Sequence, residues 1–303
     1  MGFPVMTKTC VVGAGRMGSA LARALLAEGI ETRVWNRSPE KVAPLVAAGA
    51  HTAESLAEAV AASDVVIVNV IDYAAADALL RMPAVERALA GKVVVQLTSG
   101  SPRQAREAGR WAAERGIAYL DGAIMATPNF IGGAETTILY SGMRQAFERH
   151  RDVLRVFGGN GVFVGEDAGH ASALDTGLLT QMWGKLFGTL QALAVVRAEG
   201  IGLEAYARYM RDFQPVVDAA TDDLIARVGE GRWRGDAATL ATIEAHYSAF
   251  HHLLAVGDEH GLDRVLPAAL DGLFKAALAA GHAADDFAAL MRFIERGGVR
   301  HAA

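Results

Sequence analysis

A chain of 303 residues, 52% hydrophobic and 21% charged, is a folded globular protein with room for two cores and no long disordered tail. Its net charge of −5 and pI near 6.0 argue against nucleic acid as a bulk partner. A single cysteine, Cys10, excludes a disulfide framework, and no Cys/His spacing suits a metal.

Residues 1–6 are too short for a signal peptide and lack its basic start, so a cytoplasmic protein is expected. From there, short apolar runs at 8–14, 32–36, 64–70, 92–98, 117–123, 135–141 and 160–165 read as strands. Several are apolar without alternation, as strands covered on both faces are. Helical patterns lie between them, among them 17–28, 39–48, 102–115 and 143–157. The alternation predicts an α/β Rossmann-type domain with a mostly parallel, doubly wound sheet over residues 1–166. Past 167 the strand signal ends. Residues 167–199 read as one long connecting helix. Helical patterns near 203–213, 215–228, 237–260, 266–280 and 285–296 then predict an all-α C-terminal domain over 200–303, with glycines at most of the stops. The 171–196 stretch is long enough to span a bilayer, but Lys185 at its centre and Thr180 and Gln181 one turn earlier favour a buried helix of a soluble protein.

The first strand runs directly into Gly13-Ala14-Gly15-Arg16-Met17-Gly18, which opens a helix. Glycines at this spacing allow a tight turn, close backbone approach to a pyrophosphate and close helix–strand packing. The helix N-terminus then faces the phosphates. The tip of the second strand decides which nicotinamide cofactor is bound. An acid there would hold the ribose hydroxyls of NAD; this chain has Asn36, Arg37, Ser38, Pro39 and Lys41 instead. Arg37 suits a phosphate monoester, Ser38 before Pro39 is a helix N-cap, and Lys41 adds a second charge. An exposed basic helix start is the structural alternative; NADPH is the cofactor expected. At the same sheet edge, Thr98 and Ser99 are candidate contacts near the nicotinamide and Val70 flanks the cofactor. Asp72 doubles as a helix cap, and Ser101 with Gln104 has the pattern of a capping box.

Asp175 is the only acid between His170 and Arg197, inside an otherwise apolar helix. A carboxylate there is paired, protonated or used. A cap or a satisfied core acid is the structural alternative.

The set GAGRMGSALA, WNRSPEK, LTSGSP, DGAIMATP, the acid in GHASALD and the late HHLL, Pro267 and AGH resembles the imine reductase family, within the β-hydroxyacid dehydrogenase-like group, over nearly the whole chain. In the wider group a catalytic lysine stands six residues after the glycine corresponding to Gly169, followed one turn later by asparagine. This chain has Asp175 and Leu179 there, and Lys185 comes too late to replace the lysine. The resemblance therefore implies NADPH-dependent hydride transfer to the carbon of C=N bonds, with Asp175 at the imine nitrogen. It leaves open whether ketone and amine are first joined by the same enzyme. It also implies Trp183, Val216 and His246 as pocket residues, with Met125 at the pocket mouth. Trp183 takes the place of a frequent tyrosine, and Val216 that of a bulkier tryptophan.

The family further implies an intertwined homodimer, which an all-round apolar helix carrying Gly184 and Gly188 supports independently. The alternatives are a β-hydroxyacid dehydrogenase-like carbonyl reductase and a nonenzymatic NADPH-binding regulator.

Overall fold

The computed structural model describes residues 7–295; the segment 1–6 and the last residue of the expected 285–296 helix lie outside the described residues. Each of the seven apolar runs supplies one strand: β1 (Thr9–Val12), β2 (Thr32–Trp35), β3 (Val65–Val68), β4 (Val93–Gln96), β5 (Ala118–Ile124), β6 (Thr137–Gly142) and β7 (Asn160–Gly165). They form one sheet in the order β2-β1-β3-β4-β5-β6-β7. Every neighbouring pair is parallel except β5 with β6. β1, β3 and β4 are buried at every residue, which is why their sequences do not alternate.

The helices are α1 (Arg16–Ala27), α2 (Ala43–Val46), α3 (Leu56–Ala61), α4 (Tyr73–Leu80), α5 (Pro83–Leu89), α6 (Pro102–Ala113), α7 (Arg144–Arg149), α8 (Arg151–Arg155), α9 (His170–Ala198), α10 (Leu203–Glu230), α11 (Ile243–Glu259), α12 (Val265–Ala279) and α13 (Met291–Glu295). Two cores cover the sheet. On one face Leu21 and Leu25 of α1 join Val11, Val34 and Ile67; on the other Leu56, Tyr73, Leu89 and Trp111 join Val66, Val68 and Val94.

Several expected helices differ: 237–260 becomes helical only at Ile243, and 285–296 holds a 3-10 turn at Phe287–Leu290 before the short α13. The segment 39–48 is a 3-10 turn at Pro39–Lys41 followed by the single turn of α2. The segment 143–157 is broken at His150 into α7 and α8. The expected stop at Pro215 does not occur, and α10 runs through it. A proline removes one backbone donor and crowds one carbonyl, and the turns on either side of Pro215 carry the helix past both.

The chain divides into two compact units, Met1–Gln181 and Met182–Ala303, with the division inside α9. The expected burial of α9 is not found. Leu174, Leu178, Met182, Leu186, Phe187 and Leu190 are all exposed in the single chain, up to 61% at Leu190. No helix among the described residues is long and apolar enough to cross a membrane. The second unit has its own core around Ile243, Phe274, Ala277 and Leu290. Beside it, the fully buried Arg227 is paired with Asp223, Asp236 and the buried Asp286, so its charge is compensated where water is excluded.

Candidate active site

The glycine turn is built by crowding. Gly13 has φ +109°, and a side chain there would run into the Asn69 carbonyl. A side chain at Gly18 would strike the Gly13 carbonyl, so the helix starts against the strand only without one. Gly15 faces open space. It is the N-cap of α1, which has no side-chain cap and no acid in its first turn. The first amides of α1, with exposed Arg16 and half-buried Met17 beside them, are thus open to an anion.

Asn36 links this turn to the tip of β2. Its Oδ1 accepts from the Ala14 N–H at 3.0 Å and its Nδ2 donates to the Ser38 carbonyl at 3.0 Å. Arg37 and Lys41 are exposed and make no ion pair among the described residues. Ser38 holds the N-cap position before Pro39, but its hydroxyl makes no cap bond, contrary to expectation. A 3-10 turn of three residues does not bring an N–H into its reach, and the hydroxyl stays available beside Arg37. A glycine cradle, an open helix start and two uncompensated cations at one strand tip fit a dinucleotide carrying an extra phosphate.

At the ends of β3 and β4, Asn69 donates to the Leu97 carbonyl at 2.7 Å and the Val70 N–H donates to Thr98 Oγ1 at 3.0 Å. Thr98 is buried, so it ties two strand ends together rather than standing open, and Ser99 is the exposed hydroxyl of the loop. Asp72 proves to be the cap of α4, accepting from Ala75 N–H at 2.7 Å. Ser101 and Gln104 form the expected capping box at α6.

Asp175 lies in the second turn of α9, past the reach of a cap. It is half-buried and makes no hydrogen bond or ion pair among the described residues. Neither a cap nor a satisfied core acid describes it within this chain. Desolvation raises its pKa above the ordinary carboxylate range. Met125 is half-buried against Ala123, Leu139 and Ala171, the residue that begins the buried side of the same helix start.

Sequence reasoning missed a second acid in the same unit. Asp121 on β5 is 1% exposed. Its Oδ1 accepts from the hydroxyls of Tyr73 and, at 3.3 Å, Tyr119; its Oδ2 accepts from Ser172 Oγ at 2.7 Å. Burial pushes its carboxyl up to about 6 against the opposing pull of those three donors, and the Asp175 charge pushes the same way. The signal was present in the sequence: an acid inside an apolar strand is as anomalous as one inside an apolar helix.

In the second unit, Val216 and His246 line one cavity of about 370 Å³ with Phe213, Leu224, Leu240 and Phe287. The His246 ring stands 4.6 Å from that of Phe287. Trp183 is 53% exposed, against Phe187, and does not line that cavity.

Residues 8–165 match the NAD binding domain of 6-phosphogluconate dehydrogenase, and residues 167–296 match the C-terminal domain of the NADPH-dependent reductive aminase-like family. An NADPH-dependent reductive aminase of Aspergillus oryzae is 31% identical, over 95% of this chain and 97% of its own. An imine reductase from Myxococcus stipitatus in complex with NADP+ is 54% identical with a TM-score of 0.88, covering 95% of this chain and 99% of that one. A variant of the Myxococcus stipitatus enzyme in complex with NAD+ superposes with a TM-score of 0.93 at 52% identity, over 96% and 100%. With its glycine cradle, its basic strand tip and an acid in place of the wider group's lysine, the chain belongs to the imine reductase and reductive aminase family.

Proposed function

We propose that the protein is an NADPH-dependent imine reductase that reduces the C=N bond of cyclic imines and iminium ions to amines. The observation that carries this is Asp175, a half-buried carboxyl with no partner among the described residues, in a protein whose glycine cradle and basic strand tip fit NADPH. When bound, the reduced nicotinamide supplies the hydride that adds to the imine carbon. The residues of this chain do the rest. The first amides of α1 hold the pyrophosphate, while Arg37, Ser38 and Lys41 hold the additional phosphate. Asn36 keeps those two sites in register, and Val70 and Ser99 border the nicotinamide end. A carboxyl raised above its usual range keeps its proton to higher pH. Asp175 therefore meets the nitrogen as an acid while protonated, and as the counter-ion of the iminium once the proton has moved. Val216 and His246 line the cavity assigned to the substrate, where Val216 in place of a larger side chain leaves room, and Met125 and Trp183 are further candidates for substrate contact.

Cofactor binding is thereby assigned to residues 1–166, the connecting helix to 167–199, and a substrate and dimerisation role to 200–303. NADPH oxidation is expected with a small cyclic imine such as a pyrroline and not with a 2-oxo or 3-oxo acid; turnover of the oxo acid alone would sink the proposal. The reductive aminase relative supports a second activity, in which a ketone and an amine are supplied together. We place the enzyme in the cytoplasm, and the free Cys10 is in keeping with a reducing compartment.

The exposed apolar length of α9 supports an intertwined homodimer, since soluble monomers rarely leave so long a run of leucine, methionine and aromatic side chains to water. Gly184 and Gly188 have nothing within 4 Å in their own chain, which leaves room for a second helix. Light scattering is expected to give twice the 31.9 kDa chain mass. A monomer at micromolar concentration would refute the dimer.

A further inference from the structure

The Asp121 cluster lies outside the roles above, and its geometry leads to Asp175. The carboxyl takes all its hydrogen bonds from side chains: Tyr73 from α4, Tyr119 from β5 itself and Ser172 from the first turn of α9. Asp175 follows Ser172 by three residues, so the two share one helix face. The same helix start is held a second time by Ser141 on β6, whose Oγ accepts from the Ala171 N–H at 3.0 Å and donates to the Ala168 carbonyl at 2.8 Å. On the other side of the cluster, the Gly100 backbone in the loop after Ser99 lies against the Tyr73 ring. A chain of contacts thus runs from that loop through Tyr73, Asp121 and Ser172 to the turn carrying Asp175.

We propose that Asp121 is a positioning residue for imine reduction: it moors the first turn of α9 to the sheet through Ser172 and so fixes where Asp175 stands. The proposal rests on the assignment of Asp175 as the group at the imine nitrogen.

The titratable groups facing Asp121 are Tyr73, Tyr119 and Asp175, and no cation pairs with either acid among the described residues. Asp175 owes its raised pKa to desolvation, so Asp121 acts on it through position. The hydroxyls of Tyr73, Tyr119 and Ser172 donate to the ionised form, which keeps a charge in a site that would otherwise expel it.

The test compares Asp121→Asn, Ser172→Ala and Ser172→Thr with the parent enzyme, in kcat and in KM for a cyclic imine. NADPH binding by fluorescence titration and the melting temperature serve as controls for the fold. Ser172→Ala is expected to lower kcat about 3- to 10-fold at unchanged NADPH affinity, a loss of the size that misplacing a reacting group produces. Ser172→Thr, which keeps the hydroxyl, is expected to restore most of kcat. Asp121→Asn, which keeps the shape and weakens the acceptor, is expected to lose kcat as Ser172→Ala does. A folded Ser172→Ala enzyme with the parent kcat, or a Ser172→Thr enzyme as slow as Ser172→Ala, overturns the proposal. If Asp121→Asn does not fold, the two Ser172 variants carry the test. Failure of the underlying assignment looks different: Asp175→Asn would then keep full activity.

Discussion

Replacing Asp175 with asparagine or alanine is expected to lower kcat for a cyclic imine by about 10²- to 10³-fold while NADPH still binds as in the parent enzyme, the range over which one positioned acid–base group acts. Nothing among the described residues shares the load. Asp175 has no hydrogen-bond partner among the described residues, so removing it disturbs no network, and the loss reads on chemistry rather than on folding. Asparagine keeps the volume and a polar tip but cannot hold the countercharge or give up a proton. It should therefore fall nearly as far as alanine. Stopped-flow reduction under saturating NADPH separates hydride transfer from product release, and the loss belongs in the first of these. A kcat within a few-fold of the parent, with either substitution, would remove Asp175 from the mechanism.

The second large effect concerns cofactor choice. Arg37→Ala is expected to raise the KM for NADPH about 10- to 100-fold, the worth of one or two charge-assisted hydrogen bonds, and to leave the KM for NADH within about threefold. Arg37 is exposed and unpaired among the described residues, so its loss leaves no carboxylate stranded and no core opened. Lys41 remains near the same anion, which keeps the effect below complete loss of NADPH use. Equal changes for both cofactors would mean that Arg37 supports the fold of the turn and does not bind a phosphate.

All seven strands were legible because each lies in a short run bounded by turns, and in β1, β3 and β4 burial on both faces writes itself into sequence as an absence of alternation. The glycine turn was legible for the same reason of local crowding. What escaped depends on distance. The donors to Asp121 come from 48 and 51 residues away at Tyr73 and Ser172, and no local period betrays them. Pro215 misled because a proline costs a long helix one backbone bond without having to end it, and α10 continues on both sides. The exposure of α9 was hidden too: an all-round apolar helix announces that it will be covered, but not by which chain.

Asn36 bears on how such an enzyme can change over evolutionary time. Its side chain braces the glycine turn from one side and the strand-tip turn from the other. The groups proposed to discriminate between the two nicotinamide coenzymes, Arg37, Ser38 and Lys41, meet that brace by a hydrogen bond only at the Ser38 backbone, among the described residues. Preference can therefore drift by substitutions at those three surface positions while the capacity to hold either coenzyme survives. A lineage can cross from one reductant pool to the other without passing through an enzyme that binds neither.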